Sequence, residues 1–98
     1  MQLILYSKPG CHLCEGLQEK LEQIEEGEFE LEFELEIRDI TTRPDWFQAY
    51  QYEIPVLCQV ISTGDKIVEA PLPRLSPRSS VGQVERMLQK YLGQSEAK

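Results

Sequence analysis

The chain has 98 residues, 41% of them hydrophobic and 28% charged, which is ordinary composition for one globular domain with a core that needs no structural disulfides. Its net charge of −7 argues against nucleic acid and anionic membrane as partners, since both carry negative charge themselves. No run reaches the roughly 18 apolar residues of a membrane span, and Leu3–Tyr6, ended by Lys8-Pro9-Gly10, is too short for a secretory leader, so the expectation is a cytoplasmic protein; a monomer is expected.

In chain order, the apolar run from Leu3 to Tyr6 with its Pro-Gly stop predicts a buried strand over Met1–Ser7. From Cys11 onward, Leu13, Leu17, Leu21 and Ile24 recur at helical spacing on one face, and Gly27 is the expected stop. The acid is concentrated between Glu19 and Glu36. Within it Phe29, Leu31, Phe33, Leu35 and Ile37 alternate with Glu28, Glu30, Glu32, Glu34 and Glu36, the clearest strand signal in the chain. The glutamate face must be solvated, which suits an edge strand whose charges discourage pairing with another chain. Alternating side chains do not converge on one point, so this run is not read as a calcium site.

Thr42-Arg43-Pro44-Asp45 predicts a helix start, with Thr42 as cap and Asp45 completing the capping box. Trp46, Phe47 and Tyr50 give that helix a bulky face. Strands are predicted over Val56–Ile61 and Lys66–Ala70, joined through Ser62-Thr63-Gly64-Asp65 as a hairpin with a four-residue loop. The proline-rich stretch from Pro71 to Arg78 reads as an ordered surface loop. Ser80-Val81-Gly82-Gln83 is a second capping-box match, followed by a helix with Val81, Val84, Leu88 and Tyr91 on one face and Gly93 as its stop. The domain is thus expected to occupy residues 1–92, with 93–98 as a tail. The order β-α-β-α-β-β-α predicts an α/β architecture: a parallel first pair with a right-handed crossover, an antiparallel second pair, and one four-stranded mixed sheet with helices on both faces.

Cys11 and Cys14 fall where the first strand hands over to the first helix. Two cysteines three positions apart on a first helical turn lie on one side and can close a disulfide. The first of them meets the unpaired N–H groups and positive dipole end of the helix, which favour thiolate and make it a nucleophile at neutral pH. Lys8 can add positive charge. The expected roles are attack by Cys11 on a disulfide and resolution of the mixed disulfide by Cys14. His12, if turned toward the sulfur, would stabilise thiolate further. Two other readings stay open: a zinc or iron–sulfur carrier using Cys11, His12, Cys14 and Cys58, and a redox sensor or adaptor with little turnover. Cys58, mid-strand between Val56 and Val60, reads as a small core residue.

The stretch Leu3–Leu17, LILYSKPGCHLCEGL, resembles the active-site segment of glutaredoxins, and Ile54-Pro55-Val56 resembles the cis-proline motif of the thioredoxin superfamily. The resemblance covers roughly residues 2–92 and is nearest to a compact glutaredoxin-like branch with Cys-x-Leu-Cys centres. It implies a thioredoxin fold, a cis Pro55 packed against the disulfide, an Ile54 backbone that pairs with an extended substrate, and a Lys8 that meets a glutathione carboxylate. It implies no bound cofactor; glutathione is a candidate co-substrate beside protein or small-molecule disulfides. The chain departs from glutaredoxins in three places. His12-Leu13 replaces the aromatic inside the motif. Glu53-Ile54-Pro55 replaces Thr-Val-Pro, and Glu53 would repel an anionic ligand. The stretch Pro71–Ser80 replaces the Gly-Gly-x-Asp turn, leaving Arg74 or Arg78 as candidates for the missing contacts. Arg43 could border the groove, whereas Trp46 reads as core.

Overall fold

The structure, a computed structural model, describes residues 2–28 and 33–96, with backbone only at 28 and 93–96. Strand β1 (Gln2–Ser7) leads into helix α1 (His12–Gln23), which ends in a π-helical turn, Ile24–Glu28. Strand β2 (Glu34–Asp39), a 3₁₀ turn (Ile40–Thr42) and helix α2 (Pro44–Tyr50) follow, then strands β3 (Val56–Thr63) and β4 (Lys66–Pro71) and helix α3 (Val81–Glu96). The sheet order is β2-β1-β3-β4, with β1 and β2 parallel and β3 and β4 antiparallel, as expected, and with β1 also antiparallel to β3.

Alternation along β1 distributes the core over both faces of the sheet. Leu3 and Leu5 join Leu21 and Ile24 of α1 and Val84, Leu88 and Leu92 of α3 in one cluster. Ile4 and Tyr6 point the other way, to Ile40 and Cys58, with Trp46 and Tyr50 of α2 packed over them. A strand buried on both faces reads as a continuous apolar run, and Leu3–Tyr6 is one. Helix α3 starts on a complete reciprocal capping box. The Ser80 N–H donates to Gln83 Oε1 at 2.8 Å, and the Gln83 N–H donates to Ser80 Oγ at 3.2 Å.

Several local expectations are corrected. Thr42 does not cap α2. Asp39 instead accepts the Thr41 N–H at 2.9 Å and organises the 3₁₀ turn, while Arg43 stands at the helix start and forks onto Asp45. The hairpin loop is Gly64-Asp65 alone, because Thr63 and Lys66 still pair; Gly64 has a positive φ of 57°, which a two-residue turn demands. Helix α3 passes Gly93 and continues to Glu96. Of the predicted alternating strand, Phe29 to Glu32 lies outside the described residues. Strand β2 is an edge, as expected, and Phe33 before it is buried. Ile37 is nonetheless 39% exposed, and Glu36 is half-buried, accepting from Gln2 Nε2 at 2.8 Å and Arg38 Nε at 2.6 Å.

Candidate active site at the start of helix α1

Gly10, at φ +81°, turns the chain out of β1. Cys11 then takes the N-cap of α1 in an extended conformation (φ −88°, ψ 102°). Its N–H donates to the Lys8 carbonyl at 3.3 Å, and its own carbonyl accepts from the Glu15 N–H at 3.0 Å. The capping acceptor is sulfur: the Cys14 N–H donates to Cys11 Sγ at 3.2 Å. An N-cap position normally belongs to Ser, Thr, Asp or Asn, whose side-chain oxygen takes such an orphan N–H. Putting sulfur there aims a backbone donor and the helix dipole at Cys11, both of which stabilise its thiolate. Cys11 and Cys14 are joined as a disulfide, with Cα atoms 5.3 Å apart. The pair is asymmetric: Cys11 is half-buried, whereas Cys14 is 2% exposed beneath it.

The imidazole of His12 lies in solvent. Its side chain is 93% exposed, with Nδ1 3.6 Å from Glu15 Oε1. Leu13 is 53% exposed and does not continue the buried stripe that Leu17, Leu21 and Ile24 form. It lines a cavity of ≈ 150 Å³ instead. One wall is the outer face of α1, through Leu13, Gly16, Leu17 and Lys20; Pro55 and Leu57 lie in its floor. The other wall is the proline-rich segment 72–77, with Val84 and Met87 of α3 behind it.

That segment is fastened at both ends. It enters from β4 with the Leu72 N–H donating to the Leu57 carbonyl at 2.8 Å. Arg74 donates to the Glu53 carbonyl, next to the cis Ile54–Pro55 bond. Lys20 Nζ donates to the Pro77 carbonyl at 3.0 Å. The expectation of an ordered surface loop is thus met, but its role as a cavity wall carried no sequence signal beyond apolar residues alternating with prolines.

Of the residues expected to meet substrate, Pro55 and His12 line this cavity and Lys8 and Ile54 do not. The Ile54 N–H donates to the Tyr50 carbonyl at 3.1 Å, so it is committed within the chain, and a substrate strand is left with the carbonyl. Arg43 lies 5.0 Å from the Trp46 ring on the α2 face and does not line the cavity, and Trp46, expected in the core, is half-buried and packs against it. Arg78 does not line the cavity.

The four-ligand set Cys11, His12, Cys14 and Cys58 is not brought together. Cys58 is 1% exposed on the α2 side of the sheet, while its neighbour Leu57 faces α1 and α3. Among the described residues no group of three or more His, Cys, Asp or Glu side chains converges as a metal site. Burial, with the nearby Glu69 carboxylate, pushes the Cys58 thiol up, which keeps it protonated.

Sequence reasoning missed a polar network above Cys58. Tyr6, 2% exposed, donates from its hydroxyl to Glu69 Oε1 at 2.5 Å and accepts from Arg38 at 2.9 Å. Arg38 also holds Glu36 and Glu69 and lies 5.1 Å from the Trp46 ring. Burial, then the Glu69 hydrogen bond, raises the Tyr6 hydroxyl well above its ordinary range.

Among the described residues no helix is long and apolar enough to cross a membrane. No protein of curated function matches the chain. A solved structure of thioredoxin 1 from the thermophilic eubacterium Thermosipho africanus is similar over 98% of this chain and 99% of its own, with a TM-score of 0.59 at 18% identity; that likeness establishes a thioredoxin-like fold. The family model described as glutaredoxin-like domain (DUF836) matches residues 2–89. That match spans the cysteine pair on the first turn of α1 and the cis-proline Pro55, and the chain belongs to this glutaredoxin-like family.

Proposed function

We propose that the protein is a thiol–disulfide oxidoreductase in which Cys11 is the nucleophile and Cys14 the resolving thiol. What carries this reading is the sulfur N-cap: Cys11 Sγ accepts the Cys14 N–H at a helix N-terminus while bonded to a buried partner. In the reduced protein the Cys11 thiolate attacks one sulfur of a substrate disulfide. The substrate S–S bond breaks, and its electron pair leaves on the other sulfur as thiolate. Cys14 then loses its proton to water and attacks Cys11 Sγ, and the second substrate sulfur departs as thiolate. The protein dithiol is oxidised by two electrons and the substrate disulfide is reduced by two. With its imidazole beside Glu15 and in solvent, His12 has no part in either transfer.

The substrates in this reading are protein or small-molecule disulfides, with glutathione a candidate co-substrate and no bound cofactor. The setting is a cytoplasmic monomer without nucleic-acid or membrane partners. The test is equilibration across a glutathione redox series, read by alkylation and intact mass, with metal content measured on the same sample. An intramolecular Cys11–Cys14 disulfide forming between about −180 and −270 mV is the expected result. Thiols that stay protected while stoichiometric metal is bound would overturn it in favour of a carrier.

A further inference from the structure

The cavity beside the disulfide says what kind of substrate this site selects, an inference that rests on the oxidoreductase reading. At ≈ 150 Å³ it falls below the ~300–1,000 Å³ of pockets that enclose a whole small molecule, so it takes one side chain. Its lining is apolar apart from His12, Lys20, Arg74 and Ser76. Among the described residues no carboxylate lines it, although the chain carries 17 acidic residues against 10 basic. Lys20 and Arg74 donate to backbone carbonyls, and neither has a carboxylate partner among the described residues. The cavity adjoins the cysteine pair through the chain itself, since His12 and Leu13, the two residues between Cys11 and Cys14, line it together with the cis-proline Pro55.

We infer that the substrate is an extended peptide whose disulfide cysteine is flanked by an apolar residue and then by an acidic one. The apolar side chain enters the cavity between α1 and the 72–77 segment, and the carboxylate meets Lys20 or Arg74 at its rim. Gly16 lines the cavity and borders open space: a Cβ built there would meet no atom within 4 Å, so only a large side chain would occupy it.

The test is a single turnover of the pre-reduced protein with short capped peptides, each carrying one cysteine as its mixed disulfide with 5-thio-2-nitrobenzoate. Release of the coloured thiol is followed by stopped flow below saturation. Leu-Glu is placed before or after the cysteine. In one placement, replacing Leu by Gly should lower the second-order rate constant about tenfold or more, the effect of burying one leucine side chain. Replacing Glu by Lys should lower it by about threefold at low ionic strength, and less in salt. Gly16→Phe, which fills the open space, should bring the Leu-to-Gly ratio to near one. Lys20→Gln, which keeps a donor for the Pro77 carbonyl, should shrink the Glu-to-Lys ratio. Leu and Gly peptides reacting within twofold of each other in both placements would overturn the inference. A second readout separates it from the reading beneath it: the same peptides with Ser for Cys, added to oxidised protein, should shift the amide resonances of Gly16, Leu17 and Leu72. If no peptide disulfide is reduced, the oxidoreductase reading fails, and the shifts alone then decide whether the cavity takes an apolar–acidic peptide. Their absence would refute it.

Discussion

Replacing Tyr6 with Phe removes one oxygen from the centre of the network on the α2 face and leaves the ring. The ring stacks on Tyr50 at 4.3 Å and meets Trp46 edge-on at 5.9 Å, contacts that Phe reproduces. What is lost is one hydrogen bond donated to Glu69 and one accepted from Arg38. Bonds to charged groups contribute about 1.5–3 kcal/mol each when buried. Here the charged partners are about one-third (Glu69) and one-fifth (Arg38) exposed and still hold each other at 3.2 Å, so both can be rehydrated, which roughly halves the bottom of that range for each bond and leaves about 1.5 kcal/mol for the two together. For a domain of this size that is a fall in melting temperature of roughly 6–12 °C. Urea unfolding of Tyr6→Phe, Glu69→Gln and the double variant measures it. The cycle should return about 1 kcal/mol of coupling between the two positions. Tyr6→Phe within about 0.5 kcal/mol of the parent protein would show that the network is a solvated surface arrangement, and the reasoning would be refuted.

Other expectations follow from the same geometry. Cys11→Ser should abolish disulfide reduction, whereas Cys14→Ser should accumulate a mixed disulfide on Cys11 visible by intact mass; full dithiol turnover by Cys14→Ser would remove its resolving role. Ser80→Ala should lower stability by about 1 kcal/mol in urea by stripping the acceptor from the first turn of α3, and an unchanged midpoint would count against that cap. Stability should also fall in alkali. Burial raises Tyr6, Tyr50 and Cys58 above their ordinary 10.0, 10.0 and 9.0, so the unfolded chain releases these protons first. Their contribution is fully present below about pH 9 and is lost as pH rises through the folded values. The urea midpoint should drop from pH 8 to 10.5, and less so in Cys58→Val; equal drops would refute the Cys58 share.

Much of this was legible in the sequence because it rests on local chemistry. The β1 run, the cysteine pair at a strand-to-helix junction, the edge strand rich in glutamate and the Ser80–Gln83 box each declare themselves within a few residues. What was hidden depends on neighbours far along the chain. Leu13 carries the same helical period as Leu17 and Leu21, yet it faces the cavity, because the 72–77 segment stands opposite it. Thr42 matched a cap motif, but Asp39 reached the turn first. Glu36 read as solvated charge; Gln2 and Arg38, one on the neighbouring strand and one two residues on, hold it half-buried. His12 adjoined a reactive cysteine in sequence, but helical geometry turned it toward Glu15, one turn on.

The central place of β1 has a consequence for how the protein is made. Gln2 pairs with Glu34 on one side and with Val60 on the other, so the strand richest in buried apolar residues is translated long before its second partner exists. At ~5–20 residues per second the delay is roughly 3–12 s, far longer than the collapse of a small chain. Until β3 is made, one edge of Leu3–Tyr6 has no strand to pair with. The acidic stretch that emerges next is the nearest gatekeeper, repelling other nascent chains until the hairpin of β3 and β4 arrives to close the sheet.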